Sequence, residues 1–544
     1  MAASHVIPIA LDALQCARRF LLLGTRPEAE GAVAEAAGWW RLVAAVAAGA
    51  LQHGGVAAEL RAFGQLLADA GWDSAVRSGA LALPSEPPPA LAAALDGGLL
   101  RCLELLLRRA GRAPDGPEAA VVRAVVLCRD RGRSLPAYVG PLLAYGEPRQ
   151  AAALVATLRK LLRTSDRQAL SAEYLAPEDN WHQVLVLAVE AVLDAVQEWD
   201  VLEPASSDTN DQVDVSGAAP GGGPSPAAQQ LVRLLSCAAC EWLPELARAV
   251  MVPESVNQRA LYIFLSWLPL LAARCSSPQP CQPAVTTPAP GEGGGPDGGR
   301  AAAAEEEDGG WRALLLEEVG AVRLLDRALQ LVPQLAELGD SGYVHNILCY
   351  LVLSCGSVAA VYTGQRPPPS HAAVGSSGEA GLHADAAVTA GAAGEPFRGA
   401  VPAGQSRPST PQPLPWRPEL LREAAAQLRT LGAPENAEDA EGLAAYLERR
   451  RGDGGVYEEL HPPLVELGPL SSALLPPAEA RRLLPGRCAN PACTSLEGDS
   501  EADLTLKACA GCGAVGYCCR PCQLEHWRAG HKGACGRVQG GGGA

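Results

Sequence analysis

A chain of 544 residues has room for several domains, and its formal charge of −16 argues against general affinity for nucleic acid or anionic membrane surfaces. With 10 Trp, 10 Tyr and 4 Phe, few β-branched runs and abundant Ala and Leu, the composition also excludes an all-β fold. The expected architecture is mainly α, an irregular α-helical array or solenoid of armadillo or HEAT kind, cut by disordered linkers and closed by a small C-terminal domain.

Residues 1–202 read as a helical domain of amphipathic segments joined by short turns. After Asp96-Gly97-Gly98, the residues Leu99, Leu100, Leu103, Leu106 and Leu107 share one helical face, with Arg101, Glu104 and Arg108 largely off it. Glu147-Pro148 opens a second helix with a stripe of Ala151, Leu154, Val155, Leu158, Leu161 and Leu162. Asp179 or Asn180 caps a third that runs to Trp199.

Composition marks 203–226 as a linker, 227–275 as a helical segment and 276–310 as a second linker. Two helices, Trp311–Leu331 and Val332–Tyr362 with their junction near Pro333, make up the segment 311–362. The third linker, 363–416, contains Pro411-Gln-Pro-Leu-Pro415, read as linker with a polyproline II ligand as the alternative. A helical segment, 417–484, leads to the terminal unit at 485–538. Cys237-Ala-Ala-Cys240 has redox-dithiol spacing but lies in a helical run without a preceding strand, so core packing is expected. The stretch Val344–Tyr362 approaches membrane-span length, yet it carries His345, Asn346 and Ser354 and has no basic flank; a buried helix and no membrane contact are expected.

The terminal unit holds the densest chemistry. Its ligand candidates are Cys488, Cys493, Cys509, Cys512, Cys518, Cys522, His531 and Cys535, enough for two tetrahedral Zn2+ ions, with Cys519 in excess. Short spacers let one turn deliver two ligands to one ion, and Gly511 and Gly513 suit a knuckle that needs positive φ. A helix is expected over Arg520–Ala529, ended by Gly530. The acidic loop Thr494–Leu506, with Glu497, Asp499, Glu501 and Asp503, is read as a solvated bulge. Fully protein-coordinated zinc leaves no position for a reactive water, so both ions are expected to be structural. Whether Cys519 replaces Cys518, or His526 competes as a ligand, stays open at this level.

The local words Tyr517-Cys518, Cys522-Gln523, His526-Trp527 and His531-Lys532, followed by Cys535, resemble the MYND-type zinc finger over about fifty residues. The late histidine separates this order from RING and PHD fingers. The resemblance implies interleaved sites, Cys488, Cys493, Cys518 and Cys522 for one zinc and Cys509, Cys512, His531 and Cys535 for the other. It also implies that Gln523 and Trp527 bind short proline-containing peptides of partner proteins. The expected role is therefore a non-enzymatic scaffold or adaptor. A MYND-containing lysine methyltransferase is one alternative, and a DNA-associated transcriptional regulator is another. Against the first, nine residues follow Cys535 and no SET-like words precede the finger. Against the second, six Lys or Arg face five Asp or Glu between Arg487 and Arg537, and two Zn2+ with seven thiolates bring the unit near −2. No phosphate loop, nucleophile elbow, kinase signature or His-Glu zinc helix occurs. With no secretory signal peptide evident, a reducing compartment, nuclear or cytoplasmic, is expected.

Overall fold

A computed structural model of the chain describes residues 6–24, 32–49, 51, 55–68, 83–128, 135–165, 180–194, 224–251, 257–276, 310–335, 341–363, 413–452, 469–484 and 487–539. The N-terminal helices are α1 (Val6–Gly24), α2 (Ala32–Gly49), α3 (Ala57–Ala68), α4 (Pro89–Asp96), α5 (Leu99–Arg112), α6 (Pro117–Leu127), α7 (Leu135–Tyr145), α8 (Pro148–Thr164) and α9 (Trp181–Asp194). They are followed by α10 (Pro226–Val250), α11 (Gln258–Ser276), α12 (Ala321–Gln330), α13 (Val332–Leu335), α14 (Ser341–Thr363), α15 (Pro418–Thr430), α16 (Pro434–Gly452), α17 (Pro469–Ala473) and α18 (Pro477–Leu483).

Local chemistry sets these boundaries. The Glu147 carboxylate accepts from the Gln150 N–H at 2.9 Å and caps α8, with Pro148 in the first turn where its missing N–H costs nothing. The Asn180 side chain accepts from the His182 N–H at 2.9 Å ahead of α9. The expected continuous helix Trp311–Leu331 is instead broken. Its first part ends in a wide π turn at Leu314–Glu318, and Gly320 takes φ 68° before α12 begins. Past Leu331 the expected Val332–Tyr362 helix appears as the short α13 and the long α14.

The packing is interlocked rather than a plain stack. Helix α3 packs on α6, α6 on α5 and α9, and α5 on α8. Next, α8 packs on α10, α10 on α18, α11 on α14, and α14 on α15 and α16. One contiguous apolar cluster runs from Ile7 to Leu484, so helices separated by the long interruptions share a core. Helix α8 lies deep inside it: every residue from Ala151 to Leu162 is buried, including Thr157, Arg159 and Lys160. Helix α14 is long and apolar enough to cross a membrane, but two thirds of its most apolar window is covered by neighbouring helices, as in a core helix.

Most of 203–226, 276–310 and 363–416 lies outside the described residues, as do Pro411 and Gln412 of the proline-rich run. The end of the third interruption does not behave as linker. Leu414 and Trp416 are buried, and the Trp416 indole N–H donates to the Val322 carbonyl at 2.9 Å. Cys237 and Cys240 are each 1% exposed inside α10; burial raises both thiols, Cys237 to about 12, which leaves them unreactive core side chains.

Candidate metal centre

The terminal unit is built from a two-stranded hairpin and a helix. Strands β1 (Lys507–Ala508) and β2 (Gly516–Tyr517) pair antiparallel, Lys507 opposite Tyr517 and Ala508 opposite Gly516. Helix α19 (Arg520–His526) follows, then a kinked turn at Trp527–His531 and α20 (Lys532–Gln539). Gly530, with φ 138°, breaks the helix as expected, and the kink turns His531 inward. The continuation as α20 is a feature the sequence reading lacked.

The knuckle glycines do different jobs. Gly513 takes φ 65°, the left-handed conformation expected of it. Gly511 does not; it is small because a Cβ there would sit 2.7 Å from the Cys535 sulfur. The knuckle closes through the Gly513 N–H donating to the Cys509 carbonyl, and the Cys509 N–H donating to Val515, each at 2.8 Å.

All eight candidate ligands gather into two groups. Cys488, Cys493, Cys518 and Cys522 form one, Cys509, Cys512, His531 and Cys535 the other, with the donor atoms of each group within 4.8 Å of one another. In the first, Cys493 and Cys518 sulfurs are 3.7 Å apart and Cys518 and Cys522 3.6 Å. In the second, His531 Nε2 lies 3.4 Å from Cys509 Sγ and 3.6 Å from Cys512 Sγ, and Cys509 lies 3.9 Å from Cys535. A tetrahedron with Zn–S bonds of about 2.3 Å has edges of about 3.8 Å, so these separations are those of ligands around a common zinc. The two groups interleave along the chain. Their donor sets, four thiolates in the first and three thiolates with one imidazole in the second, fit two zinc ions.

Cys519 is 3.7 Å from Cys518 but belongs to neither group; it stands at the N-terminus of α19, while Cys518 points into the cluster. His526 is no ligand either: its Nδ1 is 3.1 Å from the Tyr517 hydroxyl, and its ring stacks on His531 at 4.9 Å. Burial, then the neighbouring His531, lowers its pKa. Asn490, 1% exposed, ties the first group to α19 by donating to Glu525 at 2.7 Å.

On the outer face of α19 the Trp527 ring is 36% and Leu524 43% exposed, with Gln523 half-buried one turn before Trp527. The Trp527 ring meets His531 edge-on at 6.0 Å, so an exposed indole is positioned directly by a metal ligand.

The acidic loop is the largest departure from the sequence reading. It does not bulge into solvent: Ser500 and Glu501 are each 1% exposed, and residues 495–503 lie as a strap across α5 and α8. The Glu501 carboxylate accepts from Arg108 at 3.0 Å and from Lys160 at 2.5 Å, where all three side chains are at most 2% exposed. Glu104 receives the Ser500 hydroxyl and, at 2.6 Å, the Glu501 N–H. Thr157 sits between Glu104 and Arg108 at 3.1 and 3.2 Å. Arg108 also donates to the carbonyls of Glu497 and Gly498, Lys160 to Ser495 and Arg149 to Ala502. At the rim Arg101 pairs with Asp503 and Arg109 with Asp499. A second tether, Arg487 on Glu241 at 3.0 Å, holds the entry to the finger, and Glu241 also pairs with Arg159 of α8.

Glu104 and Arg108 lie off the apolar stripe of α5, as the periodicity required, but that face is covered by the finger rather than by water. The signal available in the sequence was charge complementarity between a 15-residue spacer carrying four acids at alternate positions and the Arg101, Arg108, Arg109 row of α5.

Residues 488–535 match the MYND finger family. No curated protein and no solved structure matches the chain. The C-terminal unit is thus a MYND zinc finger, a protein-interaction module, carried on a helical array.

Proposed function

We propose that the protein is a non-enzymatic adaptor in which the finger binds short proline-containing segments of partner proteins through Gln523, Leu524 and Trp527. The observation that supports this reading most is the exposed Trp527 ring, held edge-on to the ligand His531 beside the exposed Leu524. Gln523 and Trp527 are four residues apart and share a side of the chain at α19, so an amide and a flat apolar ring are offered together to an extended ligand. Proline-rich segments are pre-organised in polyproline II and dock on aromatic surfaces with little further ordering cost. The zinc ions would act by fixing the fold, since both sites have four protein ligands and neither keeps an open position for water. The free thiols through the array and the thiolate donor sets suit a reducing compartment, nuclear or cytoplasmic. The net charge of −16 speaks against nucleic acid as the main partner.

The test uses the full chain and a fluorescent proline-rich peptide panel read by anisotropy. Trp527→Ala is expected to retain two zinc ions and to weaken the best peptide at least tenfold. Unchanged peptide affinity would remove Trp527 from the binding surface, and loss of zinc would make it a structural residue only.

A further inference from the structure

We propose that the strap-binding face of α5 and α8 is a second peptide-recognition surface, built for a turned acidic segment and occupied in cis by residues 495–503 of the finger. Three observations carry this.

First, the array side supplies one buried carboxylate, Glu104, 3.8 Å from Arg108, against two buried cations, Arg108 and Lys160. Both hydrogen bonds of the buried Lys160 ammonium, 1% exposed, run to the strap, one to the Ser495 carbonyl and one to Glu501. Three of the four hydrogen bonds made by Arg108, itself fully buried, do the same. A segment that covers these cations takes them out of water, and a buried cation left without an anion is strongly unfavourable, so the face selects an acidic occupant over a neutral one.

Second, recognition is of the kind used for peptides. Four of the strap's carbonyls, at Ser495, Glu497, Gly498 and Ala502, accept from Lys160, Arg108 and Arg149. Those contacts read a backbone that bends at Gly498, φ 78°, and turns at Glu501, whose carbonyl accepts from the Leu504 N–H, while side-chain specificity comes from the acids: Asp499 on Arg109, Glu501 on Arg108 and Lys160, Asp503 on Arg101. Ser500 adds one polar contact, to Glu104. The pattern selects an Asp-Ser-Glu-x-Asp segment, a form of acidic-motif recognition by Arg clusters.

Third, the contact is charged rather than apolar. Leu496 is the strap's one apolar side chain packed on the array core. Obligate interfaces resemble a domain core cut in half, whereas this one resembles an exchangeable contact. The strap is held in place by its ends, Cys493 in one zinc group and Cys509 in the other. Such a tether gives an effective concentration of about millimolar, enough to exclude an acidic segment in trans while the finger is folded. Weakening the strap opens the face to a partner protein.

The experiment uses the full, zinc-loaded chain and a fluorescein-labelled peptide spanning Ser495 to Asp503, with a scrambled peptide of equal charge as control. Two variants weaken the strap in different ways: Glu501→Gln removes the buried anion, and Asp503→Arg reverses a half-exposed rim charge without altering the buried cluster. Both should bind the peptide saturably and at least tenfold more tightly than the unmodified chain, and the scrambled peptide should bind at least tenfold more weakly. Combining Asp503→Arg with Arg101→Asp should restore the cis strap and again exclude the peptide. Equal binding of the scrambled peptide, or no saturable binding to either folded variant, overturns the proposal. The readout is on the array, so either result leaves peptide binding at Trp527 to be judged by its own test.

Discussion

Replacing Glu501 by Gln keeps the shape of the side chain and an oxygen that can still accept from Lys160 and Arg108, removes the charge, and puts an amide NH2 where Oε1 is buried without a partner. In the native chain one oxygen, Oε2, serves both cations, at 2.5 Å from Lys160 and 3.0 Å from Arg108, where no side chain is more than 2% exposed. Arg108 keeps Thr157 at 3.2 Å and the more distant Glu104 carboxylate at 3.8 Å, while Lys160 keeps the Ser495 carbonyl and the nearby Cys493 sulfur but loses its carboxylate partner. Breaking a buried pair from one side costs about 3–5 kcal/mol. With Arg108 partly compensated, the low end applies, about 3 kcal/mol, or roughly a hundredfold in the equilibrium between docked and released strap. Hydrogen exchange followed by mass spectrometry on fragments covering 497–503 reads this directly, because the Glu501 N–H donates to buried Glu104 at 2.6 Å. Exchange there should quicken by about two orders of magnitude. Adding Lys160→Met to Glu501→Gln should recover part of the protection, since an apolar residue in place of the orphaned cation removes the penalty. A change below about threefold in the single variant would mean the buried charges do not hold the strap, and the docking argument would fail.

Two substitutions separate the roles of the knuckle glycines. Gly511→Ala should weaken zinc in the second group, because the new Cβ would press to 2.7 Å from Cys535 Sγ; Gly513→Ala meets open space and should cost only the strain of φ 65°, about 1–2 kcal/mol, with both ions retained. Competition with a chromophoric chelator measures the difference, and equal zinc affinity in the two variants would contradict the steric assignment. Acid should loosen the finger's entry through Glu241. Burial alone would raise its carboxyl, but Arg159 and Arg487 outweigh that and hold it down at about 2, against an ordinary value of 4.5. A depressed carboxyl contributes stability fully above about pH 4.5 and loses it as pH falls towards 2, at most about 3 kcal/mol. The stability gap between the native chain and Glu241→Gln, from urea unfolding, should therefore narrow between pH 5 and pH 2; a constant gap would remove the ion-pair explanation.

The parts of this structure legible in the sequence are those whose causes are local. Ligand spacing in the finger follows from zinc chemistry within about fifty residues, and the stripes of α5 and α8 follow from helical periodicity, so both emerge from the chain alone. What was hidden depends on partners far away in sequence. Glu501 meets Arg108 across 393 positions and Lys160 across 341, and without that pairing an acidic loop reads as solvated. Leu414 and Trp416 were lost in the average composition of a Pro- and Gly-rich stretch, although the large apolar side chains themselves are what bury. The break at Gly320 had a visible cause, a lone glycine inside an apolar periodic run, which tertiary packing turned into a left-handed hinge between two helices.

The central claim is that the array ends in a two-zinc finger with a defined ligand set. Elemental analysis of the purified full chain, beside Cys535→Ser and Cys519→Ser, addresses it most directly. The account predicts two zinc ions per native chain, two in Cys519→Ser because that thiol belongs to neither group, and one in Cys535→Ser. A single zinc in the native chain, or loss of zinc on replacing Cys519, would contradict it.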